Sequence, residues 1–124
     1  MFSVTDTGDV VIIRLEGEIR DDQEVDDFLE RWAQIFQTKS SPYILVFDTY
    51  HALAKLAYLQ HCWKLASFLK KIKESNPNIH AVQHTYIYVR SDTIRSLIDA
   101  IFKFYQPVSP VSVVRWEQSL QLHF

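Results

Sequence analysis

The chain has 124 residues, of which 48% are apolar and 23% charged, and its net charge is −2. This length predicts a single domain over residues 1–124, and the balanced charge argues against a nucleic-acid partner. No apolar run approaches the roughly 20 residues that a membrane-spanning helix needs, and the N-terminus lacks a secretory signal pattern. Because Cys62 is the only cysteine, no internal disulfide is expected and a reducing, cytoplasmic setting is favoured.

The first third of the chain predicts a β-hairpin followed by an acidic helix. Residues 2–5 and 10–15 are rich in β-branched residues and predict two antiparallel strands, joined by a turn in which Gly8 takes a positive φ. Asp21 or Asp22 is then expected to cap a helix. Apolar residues recur there every three or four positions, which predicts one buried face. They are Val25, Phe28, Leu29, Trp32, Ile35 and Phe36.

The middle third predicts a central strand, a polar break and a long amphipathic helix. Residues 43–47 are the most apolar segment of the chain and predict the strand. The polar break covers residues 48–51. The next apolar residues are again spaced by three and four positions, which is typical of a helix. They are Tyr58, Cys62, Leu65, Leu69 and Ile72, with Leu59 and Ala66 widening the stripe.

The last third predicts another strand, a third helix and a short final strand. The strand is expected within residues 80–90, and Ser91 is expected to cap the helix that follows. Residues 111–114 predict the last strand, and residues 116–122 are long enough for about two helical turns. The resulting order, β-β-α-β-α-β-α-β-(α), predicts an α/β fold with a mixed, mostly parallel sheet of about five strands.

Three parts of the chain resemble a known family. Residues 10–19 are an apolar strand that ends in Gly-Glu-Ile, and residues 44–48 are an apolar strand that ends in Asp. Residues 87–108 contain a strand, a helix and a Pro-Val pair before the final strand. These segments are similar to the second strand, the central strand and the last helix of STAS domains, which share the SpoIIAA-like fold and include the anti-sigma-factor antagonists. The resemblance implies a small regulatory or binding domain.

One departure from the family pattern limits what the resemblance implies. Bacterial antagonists carry an Asp-Ser-Ser-Gly segment, with a phosphorylated serine, at the start of the helix after the central strand. The corresponding stretch here is Lys55-Leu56-Ala57-Tyr58, which has no serine, threonine or glycine. A serine-phosphorylation switch is therefore not expected. The chain is more similar to SpoIIAA-like members without the serine, sometimes labelled STAS/SEC14-like.

Reactive groups do not form a complete motif anywhere in the sequence. None of the five histidines is paired with another at i, i+4 on a predicted helix, and His80 and His84, four residues apart in a predicted strand, would lie about 13 Å apart, so no metal site is expected. Thr49 and His51 could be imagined as a nucleophile and a base, but catalysis would also need an oxyanion hole or a phosphate-binding loop. Both glycines precede residue 18, which leaves no glycine-rich loop. We therefore expect no enzymatic activity and no cofactor.

The polar break and the start of the next helix are the candidate functional site. Ligands of open parallel sheets gather at the carboxyl ends of the strands, where this break is expected. The leading hypothesis is a surface that binds a protein partner or a second copy of the chain. Its predicted residues are Asp48, Thr49, Tyr50, His51, Lys55 and Tyr58.

Two other interpretations of this region remain open. In one, Asp48 simply caps a turn and His51 lies in solvent. In the other, the domain binds a small apolar molecule or lipid between helix and sheet, as the SEC14-like resemblance and an aromatic content of 14% suggest.

Overall fold

The structure is a computed structural model that describes residues 2–55, 58–107 and 109–115. Those residues form one five-stranded sheet and three α-helices, so the predicted α/β class and mixed sheet are confirmed. The elements are β1 (Phe2–Asp6), β2 (Val10–Gly17), α1 (Asp22–Thr38), β3 (Tyr43–Ala52), α2 (Leu59–Ser75), β4 (Val82–Val89), α3 (Asp92–Phe104) and β5 (Val111–Arg115). The helix expected at residues 116–122 lies outside the described residues.

The strands follow one another across the sheet in the order β1-β2-β3-β4-β5. β1 pairs with β2 antiparallel, and all later neighbours pair parallel. Each parallel connection passes through one helix, and such crossovers are right-handed. Sequential parallel strands therefore place all three helices on the same side, where α1 contacts α2 and α2 contacts α3. No helix among the described residues is long and apolar enough to cross a bilayer.

The predicted helix starts are confirmed by their hydrogen bonds. The Asp21 carboxylate accepts from the Glu24 amide at 3.0 Å, and the Glu24 carboxylate accepts from the Arg20 amide at 2.7 Å. The first bond satisfies one of the amides that the first helical turn leaves without an intrahelical acceptor, and the second holds the residue that precedes the cap against the same turn. The Ser91 hydroxyl accepts from the Ile94 amide at 3.2 Å and starts α3 in the same way. The turn between β1 and β2 also forms as expected, because Gly8 has a φ of +94°.

The main core lies between the helix layer and one face of the sheet, which we call the inner face. Trp32 stands at its centre as predicted, with four phenylalanine rings at centroid distances of 4.9 to 5.8 Å. The opposite face carries a smaller cluster built on Val10, Val46 and Tyr88. Strands apolar on both faces explain why β2 and β3 are near-continuous apolar runs.

Two element boundaries and the burial of one residue differ from the sequence predictions. β3 continues to Ala52 instead of ending at Phe47, so residues 48–51 belong to a strand and are not a break. The segment that precedes β4 is a short 3₁₀ helix, Pro77–Ala81, which removes His80 from the strand. Leu59 begins α2 but is 46% exposed, so it does not widen the buried stripe.

Candidate functional site

Asp48 and Thr49 point to opposite faces of β3, and both are buried. On the opposite face, Asp48 accepts hydrogen bonds from Arg14 Nε at 3.2 Å and from the Tyr50 amide at 3.0 Å. On the inner face, the Thr49 hydroxyl donates to the Tyr88 carbonyl at 2.6 Å. These bonds hold both side chains inside the sheet. That Asp48 and Thr49 contact a partner stays a prediction, and the Thr49 hydroxyl is engaged by the Tyr88 carbonyl, not by His51.

Tyr50 and His51 lie at an irregularity near the end of β3. Arg14 pairs with Asp48 while Glu16 pairs with His51, so β3 carries one extra residue there. An extra residue of this kind bends the strand and redirects the side chains beside it. The Tyr50 ring lies 4.8 Å from the Arg90 guanidinium and 4.9 Å from the His51 ring. His51 itself is exposed, as one of the sequence interpretations expected.

Lys55 and Tyr58 connect the segment after β3 to the segment after β2. Lys55 Nζ is 3.4 Å from the Glu18 carboxylate, and the Tyr58 hydroxyl accepts from the Ile19 amide at 3.0 Å. The Leu53 amide donates to the Gly17 carbonyl at 2.9 Å between the same two segments. We call residues 17–19 and 50–55 together with Tyr58 the rim. Leu56 and Ala57 lie outside the described residues.

A cavity of about 240 Å³ lies beneath the rim, between the helices and the inner face of the sheet. It is partly open to solvent, and its lining includes Leu53 and Tyr58 of the rim. From there the lining continues past Trp32 as far as Pro107 and Ser109, which precede β5. The cavity therefore extends across the interior of the domain, and its wall comes from all three helices and from β2 to β5.

The wall of the cavity is mostly apolar, and most of its buried polar groups have partners within the protein. The Thr49 hydroxyl donates to the Tyr88 carbonyl, and the Cys62 thiol lies 3.5 Å from the Leu97 carbonyl. Burial raises the pKa of the Cys62 thiol, which keeps it protonated and unreactive. The indole N–H of Trp32 is buried and has no acceptor among the residues that the structure describes. It is an unpartnered hydrogen-bond donor in a mostly apolar wall.

A second polar pair lies on the opposite face of the sheet. His84 Nε2 is 2.8 Å from the Ser112 hydroxyl, and the His84 ring stacks on Tyr86 at a centroid distance of 4.3 Å. No carboxylate is hydrogen-bonded to His84 among the described residues, so the imidazole lacks the third group that orients a catalytic base. Across the residues that the structure describes, no cluster of three or more side chains is suited to bind a metal ion.

Sequence reasoning located the rim through Lys55 and Tyr58, and it left a ligand pocket between helix and sheet as one open interpretation without naming its wall. The α1 stripe was predicted correctly, and Cys62, Ala66, Leu69 and Ile72 of the predicted α2 stripe are buried, yet a stripe does not reveal whether the volume between it and the sheet is filled. Comparison with models of known protein families and with curated protein sequences finds no match to this chain.

Proposed function

We propose that this domain binds a small apolar molecule in the cavity between its helices and its sheet. The observation that carries the proposal is the cavity itself, about 240 Å³ with a mostly apolar wall. Protein interiors are normally packed as densely as organic crystals, with few voids larger than a water molecule. A cavity of this size lowers stability unless an apolar ligand occupies it.

The volume and the wall limit the class of ligand. Engineered apolar cavities of ~150 Å³ take up benzene, whereas pockets for drug-sized molecules span roughly 300 to 1,000 Å³. A volume of about 240 Å³ lies between these and suits a one- or two-ring compound or a short acyl chain. The Trp32 N–H favours a ligand that carries one oxygen acceptor.

The proposal agrees with the SEC14-like branch of the family resemblance. The element order β-β-α-β-α-β-α-β supports membership of the SpoIIAA-like group, and the absent phosphoacceptor serine favours its members without that switch. We propose a non-catalytic role, because the described cavity wall brings no nucleophile, base and oxyanion donors together.

The test is a pair of substitutions at Cys62, which lines the cavity on α2. Cys62→Phe should occupy the cavity and abolish binding of 2-naphthol, a fluorescent two-ring probe with a single oxygen, which matches the proposed ligand class. Cys62→Ala removes the same thiol but enlarges the cavity, so it should retain binding and serves as the matched control. Native mass spectrometry of the purified wild-type chain should also show a bound apolar molecule.

Two results would contradict the proposal. If Cys62→Phe destabilises the fold by the ~1–3 kcal/mol typical of an overpacked core, the volume is not available to a ligand. If probe binding is equal in both variants, the probe binds elsewhere. Thermal unfolding measures the stability of both variants, so a destabilised Cys62→Phe is distinguished from a stable one whose probe binds elsewhere.

A second candidate function is recognition of a protein partner at the rim. It is favoured by the exposed side chains of His51 and Lys55, the latter 58% exposed, which lie on either side of Leu53. Substituting Tyr50, His51 and Lys55 together with alanine should then abolish partner capture without changing probe binding in the cavity. Unchanged capture by this variant would exclude the rim as the interface.

A further inference from the structure

An exposed apolar patch lies where α2 meets α3, away from the cavity wall. We define the α2–α3 patch as Leu59, Trp63 and Phe104. Their exposed fractions are 46%, 58% and 38%, and none of the three lines the cavity. The rings of Trp63 and Phe104 stack on each other with their centroids 4.0 Å apart. Burial in the core therefore does not account for these two aromatic residues.

Helical spacing places a lysine beside the patch. Leu59 and Trp63 are four residues apart on α2, and Lys70 follows Trp63 by seven, so all three share one side of the helix. Lys70 makes no ion pair with a carboxylate among the described residues, and Lys103 precedes Phe104 on α3. The patch is therefore apolar at its centre and bordered by positive charge.

The charge of the helix layer is divided between its two sides. α1 carries five acids and one arginine, whereas α2 carries four lysines and one glutamate. Lys64 pairs with Asp26 where α1 meets α2, so this lysine is neutralised on the side away from the patch. Lys73 donates to the Gln106 carbonyl at 3.0 Å, whereas Lys70 is exposed on the same side of α2 as Trp63.

We propose that the α2–α3 patch docks on a lipid surface that contains anionic headgroups. Trp is enriched where membranes meet water, because its ring is apolar while its N–H still forms hydrogen bonds there. Lysines beside inserted aromatic residues add attraction to anionic lipids. α2 would lie along the surface, with Trp63 and Phe104 inserted and Lys70 at headgroup level.

A lipid surface fits this patch better than a second copy of the chain. A two-fold dimer places the same surface on both partners, and the patch, made of Leu59, Trp63 and Phe104, offers Lys70 of the other copy no carboxylate. Anionic headgroups would supply the negative charge that a second copy of the patch lacks. This inference does not depend on ligand binding in the cavity, and the two are tested separately.

The experiment is sedimentation of the full chain with lipid vesicles. Wild type should bind vesicles of phosphatidylcholine and phosphatidylserine more strongly than phosphatidylcholine alone, and added salt should weaken the binding. The double substitution Trp63→Ser and Phe104→Ser should lower the partition coefficient roughly tenfold or more. Lys70→Glu, at an exposed position, should weaken binding only to the anionic vesicles.

Gln34→Ser, an exposed substitution on α1, is the control and should bind as wild type does. Equal vesicle binding by wild type and the double variant overturns the proposal. A wild type that binds no vesicles overturns it as well. If analytical ultracentrifugation then shows a wild-type dimer and a monomeric double variant, the patch is a contact between two copies of the chain. Probe binding to the cavity is measured in the same samples, so loss of the fold or of ligand binding is distinguished from loss of docking.

Discussion

The two faces of the sheet use alternate residues of the same strands, but different interactions stabilise them. On β3, Leu45 and Phe47 face the helices, while Val46 and Asp48 face the other way. The inner face is held by ring and aliphatic packing and borders the cavity. The opposite face combines a small apolar cluster with specific polar pairs. Packing tolerates an internal volume that a ligand can use, whereas polar pairs fix which residues lie opposite one another.

The largest expected effect comes from removing the aromatic centre of the inner face. Trp32→Ala eliminates contacts to Phe28, Phe36, Phe47 and Phe68, and we expect it to lower the free energy of unfolding by about 3–5 kcal/mol. Urea denaturation followed by circular dichroism measures this change. Trp32→Phe keeps a ring and should cost much less, since the indole N–H that it removes has no acceptor among the described residues. A loss below about 1 kcal/mol for Trp32→Ala would show that packing does not dominate this face.

The inner face is also the part of the fold that the sequence predicts best. The α1 stripe of six residues was identified by its spacing alone, and every one of them is buried. Periodicity works there because a helix that packs on a sheet buries one continuous side. The pocket between helix and sheet remained only one open interpretation, because the same apolar residues are compatible with a filled or an open interior. The cavity volume depends on how closely α2 and α3 pack against the sheet. That distance is set by contacts between residues far apart in the sequence.

The distant partners of Asp48 on the opposite face and of Thr49 on the inner face explain the main error of the sequence analysis. Residues 48–51 are polar and follow an apolar run, which is typical of a strand end, but β3 continues through them. The partners that make this possible, Arg14 and the Tyr88 carbonyl, lie 34 and 39 residues away. Once those partners are in place, a buried carboxylate and hydroxyl are stable inside a sheet. Local pattern carries no information on such distant partners.

An intermediate effect is expected from the ion pair on the opposite face. Asp48 is buried with 9% of its side chain exposed, whereas 48% of Arg14 reaches solvent. Arg14→Ala therefore leaves a buried carboxylate without its cation, and we expect a loss of about 1–3 kcal/mol. Asp48→Asn leaves a guanidinium that water can solvate and keeps an acceptor for the Tyr50 amide, so its cost should be about 1 kcal/mol or less.

Urea unfolding of the two single variants and the double variant gives the coupling between Arg14 and Asp48. If Asp48→Asn proves the more damaging single change, burial does not control this pair. In that case the contrast between the two faces would rest on the apolar clusters alone.

The smallest effect at neutral pH is expected from Tyr43, the first residue of β3. Its hydroxyl is buried with no hydrogen-bond partner among the described residues, so Tyr43→Phe should leave the free energy of unfolding at pH 7 almost unchanged. Burial, assisted by the nearby Asp6 carboxylate, raises the pKa of Tyr43 from 10.0 to about 12. The folded protein therefore keeps this proton at pH values where the unfolded chain releases it.

The sign of the pH dependence follows from that difference. Between pH 10.0 and about 12 the unfolded state binds fewer protons at Tyr43 than the folded state does, so stability falls as pH rises across this window. Tyr43→Phe should remove that part of the alkaline loss, measured as urea midpoints at a series of pH values. Tyr105→Phe is the matched control, because burial raises the pKa of Tyr105 as well and the variant still retains Tyr43. If Tyr43→Phe loses stability across the window as steeply as wild type does, the Tyr43 hydroxyl reaches water. The start of β3 would then be packed less tightly than its centre.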